Sequence, residues 1–330
     1  MLNAILLSLG GLVGLAIGGE LLVRGSVGIA QKLGVSTLFT GLVIVGFATS
    51  MPEMVASVQA SLAGSPEIAW GNIVGSNLAN TLLILGISAL VAPIVLKGTG
   101  RRDAVVALGV SLMLWGLALS GVGARWIGLV LLALIVVYIV WRYRHPSKGF
   151  EEEHADDEGP SNGLVAGLLF VAGLAILVIG GDALVTGAIA LATIFRVPET
   201  VIGLTVVAVG TSLPELAASI AAALRGKSGL AIGNVLGSNI YNILLIGGAT
   251  MTIAPFALPS ELAGIQMALL TASAVLLLGL LWYADKIGRL LGTALLLAFI
   301  GNVVLVFTDT PDPVEDEIGI ERPIDAPAES

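Results

Sequence analysis

Two glutamates lie inside long apolar runs, and they lie in matching places. Residues 46–57 read GFATSMPEMVAS and residues 208–219 read AVGTSLPELAAS, so Glu53 and Glu215 occupy equivalent positions in two copies, 162 residues apart. Each carries hydroxyls at helical spacing. Thr49, Glu53 and Ser57 fall at i, i+4 and i+8, as do Thr211, Glu215 and Ser219, which puts each set on one helix face. Ser50 and Ser212 are offset but adjacent. Pro52 and Pro214 immediately precede the glutamates, and a proline within a helix withholds a donor from the carbonyl four residues back, here Ala48 and Gly210. Gly46 and Gly210 loosen the turn further. Broken helices at membrane depth line cavities, and their freed carbonyls can coordinate cations. A buried carboxylate beside such a break is a functional site by default.

A second repeated segment supplies amides. GNIVGSNLAN at 71–80 returns as GNVLGSNIYN at 233–242. Asn72, Ser76 and Asn80 form one i, i+4, i+8 stripe, and Asn234, Ser238 and Asn242 form its copy. Ser76, Asn80, Ser238 and Asn242 read as ligands. Asn72 and Asn234 could either ligate or hydrogen-bond between helices, while Asn77 and Asn239 lie off the stripe. Gly71, Gly75, Gly233 and Gly237 permit close helix packing. Carboxylates, hydroxyls and amide oxygens, without thiolate or imidazole, make a hard-oxygen site. Ca²⁺ takes about 6–8 such oxygens. Two carboxylates neutralise one divalent ion, and the same oxygens could be shared among several Na⁺ ions. Mutually exclusive occupancy of one cage would couple the two fluxes.

The elements that must position these residues are membrane helices. The chain is 56% hydrophobic and 12% charged, with a mean hydropathy of +1.01, whereas soluble domains are about 25% charged. Apolar stretches of about 20 residues, enough to span a bilayer, fall near 3–22, 37–63, 67–91, 102–121, 124–142, 162–181, 199–223, 229–253, 260–283 and 287–307. The expected fold is therefore all-α and polytopic, with ten transmembrane helices. No Lys or Arg precedes the first span, so 3–22 reads as a retained helix rather than a cleaved signal. With no cysteine, thiolate metal sites are excluded.

Charge sets the expected orientation. With the N-terminus outside, twelve of the fifteen basic residues face the cytoplasm, and Arg125, Arg196 and Arg322 face out, as the positive-inside rule requires. Both termini are then extracellular, in the cell membrane. Five spans per copy is an odd number, so the second copy enters upside down, giving two inverted five-helix repeats with a site at their interface near the midplane. The expected organisation is a first repeat at 1–142, a cytoplasmic linker at 143–161, a second repeat at 162–308 and an acidic extracellular tail at 309–330. The acidic runs EEEHADDE (151–158) and DTPDPVEDE (309–317) read as solvated segments. Glu20 and Asp182 are also repeat-related, but they fall at the ends of their expected spans. Arg24, one turn beyond Glu20, gives that carboxylate a local partner.

The paired G-F-A-T-S-M-P-E…G-N-x-x-G-S-N and A-V-G-T-S-L-P-E…G-N-x-x-G-S-N motifs resemble the sodium/calcium exchanger branch of the calcium:cation antiporter superfamily. The resemblance covers essentially the whole chain and is closest to prokaryotic members, which have a short central loop. It implies a secondary antiporter exchanging Na⁺ for Ca²⁺ by alternating access, with the first and sixth helices sliding across the rest. It further implies Ca²⁺ on Glu53 and Glu215, with the Thr49 and Thr211 carbonyls. Flanking Na⁺ would use the Gly46 carbonyl, Thr49, Ser50 and Ser76 on one side, and the Ala208 carbonyl, Thr211, Ser212 and Ser238 on the other. Asn80 and Asn242 would complete the centre. Some relatives carry Asp where this chain has Asn242, and the missing charge argues against potassium co-transport.

Other functions remain to be weighed. H⁺ could replace Na⁺ as counter-ion, since a desolvated carboxylate can hold a proton. A cation channel would need the same oxygens in a path open at both ends. An intramembrane protease is disfavoured because the histidines, His145 and His154, both lie in the polar loop. No cofactor, nucleic acid or obligatory protein partner is expected. The transported ions Ca²⁺ and Na⁺ and the lipid bilayer are the partners, and a monomer contains both halves of the site.

Overall fold

The computed structural model describes residues 1–96, 99–146, 160, 162–195 and 208–309. The chain runs through helices α1 (Leu2–Leu33), α2 (Thr37–Thr49), α3 (Met51–Leu62), α4 (Pro66–Val91), α5 (Arg101–Ser120), α6 (Arg125–Arg144) and α7 (Gly163–Ile194). After the short turn Ala208–Gly210 come α8 (Leu213–Leu224), α9 (Ser228–Ile253), α10 (Ile265–Tyr283) and α11 (Arg289–Asp309). Eight described helices are long and apolar enough to cross a membrane, or nine if α2 and α3, bent by 42°, form one broken span. The protein is thus an all-α polytopic membrane protein. Of the span expected at 199–223, α8 is described, and residues 199–207 lie outside the described residues.

Two helices run longer than their hydropathy suggests. The first and sixth spans were expected at 3–22 and 162–181, yet α1 continues to Leu33 and α7 to Ile194. Polar residues end a hydropathy window without ending a helix. Arg24 donates to Glu20 one turn back (2.8 Å), and Ser26 returns its hydroxyl to the Leu22 carbonyl. Helix α1 stops only at Gly34, whose φ of 64° is the left-handed cap that glycine adopts freely. Glu20 and Asp182 therefore sit within helices, not at their ends.

α1 and α7 pack on each other along their small residues. Gly11 lies against Gly180 and Leu184, Gly18 against Gly173 and Leu177, and Gly25 against Ala166 and Phe170. Numbers rise on one helix as they fall on the other, so the pair is antiparallel. IGGELLVRG (17–25) of α1 and IGGDALVTG (179–187) of α7 are repeat equivalents, so the two copies run in opposite directions. The approach is backbone to backbone, since a methyl added at Gly25 would meet the Phe170 nitrogen at 2.4 Å.

α4 and α9 form the centre. Every residue of Ser228–Tyr241 is buried, so the polar stripes have nowhere to face but inward. Outer helices pack in mirrored pairs, with Gly128 of α6 against Gly248 of α9 and Gly292 of α11 against Gly86 of α4. Strands β1 (Ile94–Val95) and β2 (Lys286–Ile287) pair antiparallel and join the two halves at one end. At that end Arg101 donates to the Leu281 and Trp282 carbonyls, and Arg289 to Leu90. Three segments, Thr40–Val45, Ala79–Ile84 and Asn242–Ile246, are wound as π-helix, a winding often found at functional sites.

A buried ion pair escaped the sequence reading, which had left Arg142 among the residues of the cytoplasmic rim. Arg142 Nε donates to Asp103 Oδ1 at 2.7 Å and Tyr138 donates to the same oxygen at 2.9 Å, tying α6 to α5. Helix α10, the counterpart of α5, carries no Asp, Glu, Lys, Arg or His, so among the described residues this tie exists in one half alone.

Candidate ion-binding site

The site begins at two helix breaks. Ser50 separates α2 from α3 with φ −81° and ψ 2°, and Ser212 precedes α8 with φ −92° and ψ 8°. Both occupy the sparsely populated bridge region that active-site residues frequently adopt. Pro52 and Pro214 sit not in helix interiors, as the sequence suggested, but in the first turns of α3 and α8, where a missing N–H is tolerated. Glu53 and Glu215 follow in those same first turns. The positive ends of α3 and α8 therefore lie beside the two carboxylates.

The halves interlock through side chains. Ser212 donates to Glu53 Oε1 at 3.2 Å, and in mirror image Ser50 reaches Glu215 Oε1 at 3.4 Å. The Ser50 hydroxyl also lies 3.3 Å from Ser238 Oγ. Thr49 Oγ1 lies 3.0 Å from the Val45 carbonyl and 3.4 Å from Asn234 Oδ1. Both glutamates are 2% exposed.

Several acceptors here have no hydrogen-bond donor. Glu53 Oε2, Glu215 Oε2, Asn80 Oδ1, Asn242 Oδ1 and Thr211 Oγ1 are buried without a partner. An unmatched buried polar group is costly, and these five oxygens come from the two motif copies and their amide stripes. Four of the five offer only lone pairs when the carboxylates are ionised. That is the donor set of a hard cation, and it fits Ca²⁺ or Na⁺ by chemistry. Among the described residues no cluster of three or more His, Cys, Asp or Glu occurs, so two carboxylates carry the charge balance.

The sequence-derived residues fall as follows. Thr49, Ser50, Ser76, Asn80, Ser212, Ser238 and Asn242 are all buried with the two glutamates. Gly46 opens the helical turn before the first break, and its carbonyl accepts the Ser50 amide at 3.1 Å. Ala208 opens the corresponding turn, but there the Ser212 amide goes to Val209. Asn80 and Asn242 stand in or at the start of the π-wound segments, which sequence periodicity could not foretell. Asn72 and Asn234 are joined to the backbone of the glutamates through their amide nitrogens.

Fold and site together define a polytopic membrane protein whose inverted repeats bring two buried carboxylates into one centre. The chain belongs to the sodium/calcium exchanger protein family, whose sequence profile matches residues 3–144 and 165–308. It is 38% identical over 292 residues to the membrane protein MJ0091 of Methanocaldococcus jannaschii, covering 88% of this chain and 93% of that one. It is 30% identical to the sodium/calcium exchanger MaX1 of Methanosarcina acetivorans, covering 90% and 96%. The solved sodium-calcium exchanger NCX_Mj superposes with a TM-score of 0.80 at 34% identity, over 92% of this chain and 99% of that one. The family is one of transporters, and the hydrolase reading falls with that assignment.

Proposed function

We propose that this protein is a secondary antiporter that exchanges Na⁺ for Ca²⁺ across the cell membrane by alternating access. The observation that carries the reading is the set of unpartnered acceptor oxygens on Glu53, Glu215, Asn80 and Asn242, two of them on buried carboxylates. Two negative charges balance one Ca²⁺, and six to eight oxygens complete its shell. Thr49, Ser50, Ser76 and the Gly46 carbonyl would serve Na⁺ on one side. Thr211, Ser212, Ser238 and the Ala208 carbonyl would serve it on the other. Na⁺ as the counter-ion is supported by the relatives that bear the name sodium/calcium exchanger.

The proposed organisation keeps the repeats at 1–142 and 162–308, a cytoplasmic linker at 143–161 and an extracellular tail at 309–330, with both termini outside. One chain holds both glutamates, so a monomer suffices. The test is ion flux in proteoliposomes. Radiocalcium uptake should follow an outward Na⁺ gradient and reverse with it. Uptake that follows a pH gradient and ignores Na⁺ would assign H⁺ as counter-ion. Uptake indifferent to every trans cation would sink exchange and indicate a channel.

A further inference from the structure

The Asn72 side chain is spent on bracing α3 and not on the cage. Its Nδ2 donates to Ser57 Oγ at 2.9 Å and to the Glu53 carbonyl at 3.4 Å. Asn234 repeats the arrangement on α8, with Nδ2 at 2.9 Å from Ser219 Oγ and 3.2 Å from the Glu215 carbonyl. Both asparagines therefore grip the backbone of the very residue whose carboxylate enters the site. A second grip falls one turn further along the same helix, because Ser57 and Ser219 lie four residues beyond the glutamates.

Two attachments one turn apart fix a helix in rotation as well as in position. A single one would leave it free to turn about the contact. Rotation matters here because Glu53 and Glu215 follow breaks, and a helix that starts at a break has no preceding turn to fix its phase. Asn234 Oδ1 also lies 3.4 Å from Thr49 Oγ1, so its carbonyl end faces the other repeat's break while its amide end holds α8.

We infer that Asn72 and Asn234 are positioning residues that set the rotational phase of α3 and α8, and through it the separation of the two carboxylates. They act through the glutamate carbonyls and the Ser57 and Ser219 hydroxyls, and they do not bind the ion. The inference rests on the reading of Glu53 and Glu215 as Ca²⁺ ligands.

The sign of an aspartate substitution distinguishes positioning from ligation. Asp is nearly isosteric with Asn but cannot donate when ionised. At a ligand position it adds negative charge and should tighten Ca²⁺. At a positioning site it sets a carboxylate against the glutamate carbonyl, so that grip is lost and only the serine hydroxyl, turned to donate, still holds the side chain. The measurement is equilibrium radiocalcium binding to the full-length protein in detergent, for wild type, Glu53→Gln, Asn72→Asp, Asn234→Asp, Ser57→Ala and Ser219→Ala. Loss of the bond to the glutamate carbonyl, with a carboxylate set against that oxygen, should weaken Ca²⁺ binding about tenfold in each Asp variant. The serine variants, which remove the asparagine's other bond, should lose about fivefold. They keep the test decisive if an Asp variant fails to fold. In vesicles the effect should appear in the half-saturating Ca²⁺ concentration more than in the maximal rate. Tighter binding in either Asp variant, or wild-type binding in the serine variants, overturns the inference. Wild-type binding by Glu53→Gln would instead overturn the ligand reading beneath it.

Discussion

At the residue scale, two charges are confined where hydration is poor, and each is half satisfied. Glu53 and Glu215 each have one oxygen within reach of a serine of the opposite repeat and one oxygen with no partner. Replacing either by Gln removes one of two charges while keeping the shape. Glu53→Gln and Glu215→Gln should each abolish calcium transport and leave a folded, monodisperse protein, as judged by vesicle flux beside size-exclusion elution. Normal exchange in either variant would remove that glutamate from the centre. The Asp103–Arg142 pair differs in holding its counter-charge within the protein, with Arg142 Nε 2.7 Å from Asp103 Oδ1. Arg142→Leu should destabilise the protein by about 3–5 kcal/mol by stranding Asp103, whereas Asp103→Leu with Arg142→Leu should recover most of the loss. Thermal unfolding in detergent reads both.

At the element scale, the packing of α1 on α7 depends on backbones that touch. A methyl at Gly173 would come within 2.4 Å of the Leu22 nitrogen, while Gly167 of the same helix has nothing within 4 Å. Gly173→Ala should therefore cost about 1–3 kcal/mol by forcing the helices apart, and Gly167→Ala should cost little. Melting temperatures and exchange rates of the two variants give the comparison. α1 has a further attachment, because Arg225 at the end of α8 donates through Nε and Nη2 to Glu20, which Arg24 also holds. The sequence reading gave Glu20 a partner in Arg24 but missed Arg225. The signal is absent from any local window, since the residues are 205 positions apart.

At the scale of the whole molecule, inversion turns duplication into a single site. Two copies inserted in the same direction would place their glutamates on equivalent but separate faces. Antiparallel copies let Ser50 meet Glu215 and Ser212 meet Glu53 across the interface. Three of the basic residues expected on one side of the membrane join distant parts of the chain, with Arg225 on Glu20, Arg101 on Leu281 and Arg289 on Leu90. The proposed topology can be checked directly because the chain has no cysteine of its own. A cysteine placed at Ser120 should react with an impermeant thiol reagent added outside intact cells. One placed at Arg144 should react only after permeabilisation, and the reverse pattern would invert the assignment.

The sequence by itself determined the class and the cast. Hydropathy required membrane helices, the 162-residue repeat located Glu53 and Glu215, and prolines beside them marked the breaks. These are local or periodic properties, and a window of one helix contains them. Three things were decided only by tertiary structure. One was the grip of Asn72 and Asn234 on the glutamate backbone, which sequence left open between two roles. The others were the Arg225–Glu20 link and the Asp103–Arg142 tie. Each depends on which helices become neighbours, and that follows from how small residues let particular backbones approach. The stripe i, i+4, i+8 says which side chains share a face. What that face meets is settled by the helix packed against it.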